Sequence, residues 1–231
     1  MADEPWWKQS LAELIAAFAL VFVGAGSVVA TANLAPEQAL ATRALAHGFV
    51  IMAMASAIAP ISGGQISPAI TLGLFVGRKI KARLAATVIG FQILGSILAG
   101  LLLLAIYPAR TAGLGTPTLA GPIANAPLMG IAVELVLTFF LVFVVYATAV
   151  DPRVTFRQIA ALAIGLTVAM DWFVGGNLTG AAMSPGRWIG PAVATWTLDL
   201  WYVYWIGPLL GGALAGALYA GVFLPLEAEK R

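Results

Sequence analysis

The chain contains no cysteine, which excludes disulfide staples, thiolate metal sites and thiol nucleophiles. Charge is also scarce: Asp, Glu, Lys and Arg make up 10% of the residues, against about 25% in a typical soluble domain. The net charge is only +2, and no basic patch points to nucleic acid. A basic segment before the first apolar run, the mark of a cleaved signal peptide, is missing too. The chain opens Met1-Ala2-Asp3-Glu4-Pro5-Trp6-Trp7-Lys8, so the run that follows reads as a retained membrane helix. What is abundant is apolar: 61% of the 231 residues are hydrophobic and the mean hydropathy is +0.96. This is the composition of an integral membrane protein.

A crossing of the bilayer takes about 20 apolar residues. Six stretches meet that length, at roughly 10–32, 39–59, 83–107, 127–149, 158–175 and 200–224. Two shorter apolar pieces, about 68–77 and 185–195, are too short to span alone. Each follows a Ser-Pro pair: Ser67-Pro68-Ala69 in one half and Ser184-Pro185-Gly186 in the other. Serine is a good N-cap and proline is pre-shaped for the first helical position, so each pair reads as a loop that opens a half-helix.

The two halves repeat one another. Ala12-Glu13-Leu14-Ile15 resembles Val133-Glu134-Leu135-Val136, and Leu98-Ala99-Gly100 matches Leu214-Ala215-Gly216. His47 precedes Ser67 by 20 residues, and Ile164 precedes Ser184 by the same 20. The chain divides into repeats of about 9–106 and 127–224, joined by a linker of about 107–126, within one channel domain spanning 1–231. Each repeat holds three spans. Three is odd, so the halves are inverted in the membrane and the half-helices enter from opposite faces. Lys and Arg in the short loops orient the bundle. The side holding both termini carries Lys8, Arg78, Lys79, Lys81, Arg83, Arg153, Arg157, Lys230 and Arg231, and the other carries Arg43 and Arg110. Nine against two predicts an integral cell-membrane protein with both termini cytoplasmic.

Six spans, an inverted repeat and paired loops at Ser62-Gly63-Gly64-Gln65-Ile66-Ser67-Pro68-Ala69 and Met183-Ser184-Pro185-Gly186-Arg187 resemble the aquaporin, or major intrinsic protein, family. The resemblance runs from Glu13 to about Gly216. It implies an all-α bundle of six transmembrane helices plus two re-entrant half-helices, and a homotetramer with one pore per chain. Where the family carries two pore asparagines, this chain has Ser67 and Ser184, and Gly186 replaces the usual alanine. A serine hydroxyl can accept a backbone N–H as a cap and still donate its own proton. The resemblance makes Ser67, Pro68, Ala69, Ser184, Pro185 and Gly186 the pore midplane, and His47, Trp172, Ala181 and Arg187 the selectivity filter. That foursome matches neither the water-type nor the glycerol-type set. Its two bulky rings and one small side chain leave about the room of a water filter. Arg187 is the sharpest position, because an arginine inside a membrane segment is costly unless used. Ala192, Tyr204 and Trp205 resemble water-type residues, while Trp188 fits neither type. Glu13 and Glu134 resemble the family's buried glutamates, which support the re-entrant loops.

These residues predict a passive water channel that excludes ions and protons and works without cofactor or metal; neither an enzyme nor a nucleic-acid partner is expected. The alternatives are a facilitator of small neutral solutes such as glycerol, ammonia or hydrogen peroxide, a secondary active transporter, and a closed structural protein of the same fold. A transporter needs an intramembrane coupling-ion site, and besides the filter residues only Glu13, Glu134 and Asp171, placed near a surface, are on offer. Asn177-Leu178-Thr179 matches a glycosylation sequon that is expected to be spurious. Gly207-x3-Gly211 and Gly212-x3-Gly216 are spacings for close helix packing, either inside the bundle or between subunits.

Overall fold

The computed structural model describes residues 4–225; Lys230 and Arg231, counted above on the side of the termini, lie outside them. Among the described residues every regular element is helical. The chain runs through α1 (Trp6–Ala30), α2 (Pro36–Ser62), α3 (Pro68–Val76), α4 (Ala82–Ile106), α5 (Pro127–Val145), α6 (Ala160–Gly175), α7 (Pro185–Thr195) and α8 (Trp201–Leu218). Wider π turns extend α5 through Tyr146–Val150 and α8 through Tyr219–Phe223. Counting those extensions, five helices are long and apolar enough to cross a membrane; α6, with 16 residues, is shorter. The nine-residue α3 and eleven-residue α7 are the half-helices.

The pairing of the long helices follows the repeat. α1 packs on α4 and α2, and α5 packs on α8 and, more lightly, on α6, while α2 and α6 join the halves. α7, from the second half, lies against α4 of the first; α3, from the first, lies against α8 of the second. Each half-helix is thus held by the other half of the chain.

Glycine sets how closely they approach. A Cβ on Gly212 or Gly216 would lie 2.4 and 2.2 Å from the carbonyls of Ala69 and Gly73 on α3, and on Gly211 2.2 Å from that of Leu135 on α5. The Gly207 and Gly212 spacings therefore serve the internal bundle. The outward faces carry Leu128, Phe140, Leu166, Phe173 and Leu214, the pattern of helices solvated by hydrocarbon.

Candidate functional site

Each half-helix begins at a capping serine. The Ser67 hydroxyl accepts the Ala69 N–H at 3.2 Å, and the Ser184 hydroxyl accepts those of Gly186 and Arg187 at 3.1 and 3.4 Å. In both cases proline fills the first helical position. The two N-termini meet: a Cβ on Gly186 would lie 3.5 Å from Pro68 Cδ and 2.9 Å from the Ser96 hydroxyl. Glycine in place of the usual alanine thus spares Ser96 a close contact.

The residue before each serine is strained. Ile66 has φ +63° and Met183 φ +50°, a left-handed conformation that side-chain-bearing residues adopt at a cost of about 1–3 kcal/mol. Two fully buried carboxylates hold them there. Glu13 accepts the backbone N–H groups of Gln65 (2.9 Å) and Ile66, the Ser62 hydroxyl (2.6 Å) and the Gln92 carboxamide (2.9 Å). Glu134 accepts the N–H groups of Ala182 (2.9 Å) and Met183 (2.7 Å) and the Thr179 hydroxyl (2.6 Å). The two sets correspond donor for donor except for Gln92. Both oxygens of each residue are engaged, as suits an acceptor-only carboxylate. Thr179 is buried by this work, so the sequon at Asn177 has its hydroxyl inside the protein.

Arg187 stands in the first turn of α7 and is 1% exposed. Its Nε donates to His47 Nε2 at 3.0 Å and its Nη1 to the carbonyl of Gly115 at 2.9 Å. His47 Nδ1 lies 2.8 Å from the carbonyl of Arg43. A carbonyl only accepts, so Nδ1 carries the proton and Nε2 keeps the lone pair that meets Arg187. The ring of Trp172 packs on that of His47, centroids 4.2 Å apart and tilted by 31°. Three of the four filter positions are therefore in one cluster. The fourth, Ala181, is fully buried against Gly175.

An outer cavity of about 420 Å³ reaches this cluster, lined among others by Val28, Arg43, Gly115, Trp172, Gly176 and Arg187. On the side of the termini a second cavity of about 450 Å³ is lined among others by Gly63, Gln65, Leu74, Lys79, Val150 and Arg157.

Several features escaped the sequence reading. Gly115 lies in the stretch taken as a linker. At φ +71° its own Cβ would be 2.5 Å from the Ala25 carbonyl, so the position takes only glycine. The Gly113-Leu114-Gly115 spacing was the one signal in the sequence; in the structure Ala112, Gly113, Leu114 and Gly115 are all left-handed. Arg43, whose Nε donates to the Thr31 hydroxyl at 2.8 Å, adds a second guanidinium to the outer cavity. Asp171, expected near a membrane surface, has its side chain buried at 2% exposure, beside Trp172 in the last turns of α6. Trp188 stacks on Tyr204 at 5.8 Å within a cluster including Ala182, Ala192 and Val203, which gives it a packing role.

Just past the apolar span that ends at Val150, Asp151 anchors the turn after α5. Arg153 pairs with it through Nε (2.9 Å) and Nη2, and the Tyr219 hydroxyl donates to it at 3.0 Å. The hydrogen bonds from Arg153 hold the Asp151 carboxyl well below the usual carboxylate range.

Comparison with known proteins shows the family of the chain. The sequence pattern of the family described as "Major intrinsic protein" matches residues 1–219. "Aquaporin TIP4-4" of Zea mays is 43% identical over 219 residues, covering 93% of this chain and 86% of that protein. "Aquaporin TIP2-1" of Arabidopsis thaliana is 40% identical over 220 residues, with the same shares covered. Among solved structures, the aquaglyceroporin from Plasmodium falciparum superposes with a TM-score of 0.83 over 94% of this chain and 97% of that one, at 19% identity. That last likeness is one of fold.

Proposed function

The chain belongs to the major intrinsic protein family, and from that premise we propose that it is a passive transmembrane water channel. The observation that carries the reading is the placement of Arg187. A buried guanidinium, held by His47, on whose ring the Trp172 indole packs, and by Gly115, stands between the outer cavity and the meeting point of two half-helix N-termini.

Water entering from the outer cavity meets the remaining guanidinium N–H groups, which donate to its oxygen. The fixed positive charge repels cations at the same point. At the midplane the hydroxyls of Ser67 and Ser184 each accept a backbone N–H yet keep a proton to donate, which stands in for the family's asparagine amides. Both half-helices point their positive ends there, opposing protons and cations a second time. His47, Trp172, Ala181 and Arg187 form the filter in this reading, Ser67-Pro68-Ala69 and Ser184-Pro185-Gly186 the midplane, and Glu13 and Glu134 the loop supports. Both termini face the cytoplasm, on the strength of the Lys and Arg distribution. The assembly is a homotetramer, on family resemblance.

Shrinkage of proteoliposomes followed by stopped-flow tests this. An impermeant sugar is expected to drive rapid water efflux, well above protein-free vesicles. Glycerol is expected to drive nearly the same response, because the His47 and Trp172 rings beside Arg187 leave it no room. Glycerol that collapses the gradient while the sugar does not would overturn water selectivity.

A further inference from the structure

The water path described so far has its discriminating groups on the outer side and at the midplane. The cavity on the side of the termini contains three groups that no step has used. Gln65 is 1% exposed and lines that cavity. Its backbone N–H goes to Glu13 and its Nε2 to the Ser62 carbonyl at 3.2 Å, which fixes the carboxamide, yet Oε1 has no partner. A buried carbonyl oxygen left unmet is costly, so a donor is expected at that place. Lys79 and Arg157 line the same cavity, and neither is in an ion pair among the described residues. Arg157 is steadied by donating to the Asp151 carbonyl at 3.3 Å.

We propose that the inner mouth is a second selectivity site, in which Gln65 Oε1 takes a donor hydrogen from each passing neutral molecule while Lys79 and Arg157 turn cations away. Gln65 lies two residues before the cap Ser67, so its acceptor comes just ahead of the Ser67 hydroxyl on the path from the cytoplasm. A water molecule gives a hydrogen to Gln65 and offers its oxygen to Ser67, which passes it inward without stripping both ends at once. A cation meets two positive charges in a half-enclosed cavity, where low-dielectric walls strengthen the repulsion. This rests on the water-channel reading.

The cysteine-free sequence makes the test direct. Gln65→Cys is reconstituted and treated from the inner face with a methanethiosulfonate bearing either a sulfonate or a trimethylammonium group, and labelling is followed by protein mass and by water flux. Labelling by both reagents is expected to slow water flux. Relative to their rates with a free small thiol, the sulfonate reagent is expected to react several-fold faster. Adding Lys79→Gln and Arg157→Gln is expected to erase that preference. Separately, Gln65→Met is expected to conduct water about fivefold more slowly than the native chain, the factor that accompanies loss of ~1 kcal/mol of net hydrogen bonding. No mass gain at position 65, equal relative rates, or native flux in Gln65→Met overturns the proposal. The untreated native chain is the control on the underlying reading: if it fails to conduct water, the channel assignment fails, and labelling still reports on the mouth.

Discussion

Glu134 is the support on which the outer half of the site hangs, and its replacement has a calculable cost. The carboxylate takes three buried donors: the Thr179 hydroxyl and the N–H groups of Ala182 and Met183. Leaving a buried donor unmet costs about 1–3 kcal/mol, so Glu134→Ala exposes the chain to a loss of about 3–6 kcal/mol after partial relaxation. That is a large share of the roughly 5–15 kcal/mol that holds a typical domain folded. Glu134→Gln keeps one acceptor oxygen, which serves two of the donors, and turns an NH2 toward the third. Its cost should be about 1–3 kcal/mol. Thr179→Val keeps the carboxylate and removes one donor, but it also strips the Ala181 N–H of its acceptor, so it should cost about 1–2 kcal/mol. Thermal midpoints in detergent are therefore expected to rank native, then Thr179→Val and Glu134→Gln, then Glu134→Ala. The loop from Thr179 to Ser184 leads directly into Arg187, so glycerol exclusion should weaken alongside stability in Glu134→Gln. A Glu134→Gln channel with the native midpoint and native selectivity would refute the view that both oxygens are needed as acceptors.

Gly186→Ala should be close to neutral, since about 1 kcal/mol of helix propensity gained is set against displacement of the Ser96 hydroxyl 2.9 Å away; Ser96→Ala with Gly186→Ala should then be more stable than Ser96→Ala alone, read by thermal midpoint. Asp151→Asn should lower the midpoint at pH 7. The Asp151 carboxyl is held below its unfolded value by Arg153, so its contribution is fully present above about pH 4 and is lost progressively as pH falls toward the depressed folded value; the gap between native and variant midpoints should narrow on acidification, and a gap as wide at pH 2 as at pH 7 would contradict this. Mercurials should leave the native chain conducting, since it has no thiol, and should inhibit Ala181→Cys; a variant that conducts through the treatment removes Ala181 from the path.

The fold was legible because membrane helices announce themselves through long apolar runs, and the half-helices because Ser-Pro carries its own capping chemistry, which begins α3 at Pro68 and α7 at Pro185. The partnership of Glu13 and Glu134 with the two loops was implied by the family resemblance, and their repeat-related positions agree with it. What stayed hidden has a common cause. The Gly115 carbonyl that receives Arg187 and the Arg43 carbonyl that sets the proton of His47 are backbone atoms, identical at every residue and therefore silent in a sequence. The burial of Asp171 stayed hidden for a related reason: a side chain near a helix end faces water or protein according to how the helix is rotated against α2 and α5, and that rotation follows from glycine contacts such as Gly48 against Gly165, not from residue 171 itself. Side-chain donors and charges can thus be read from the sequence, whereas their acceptors are fixed only when the bundle closes. Arg187 illustrates both: the cost of burying a guanidinium marked it as important, but the reason it stays buried is two acceptors, one from α2 and one from a loop 72 residues away, that only the fold brings to it.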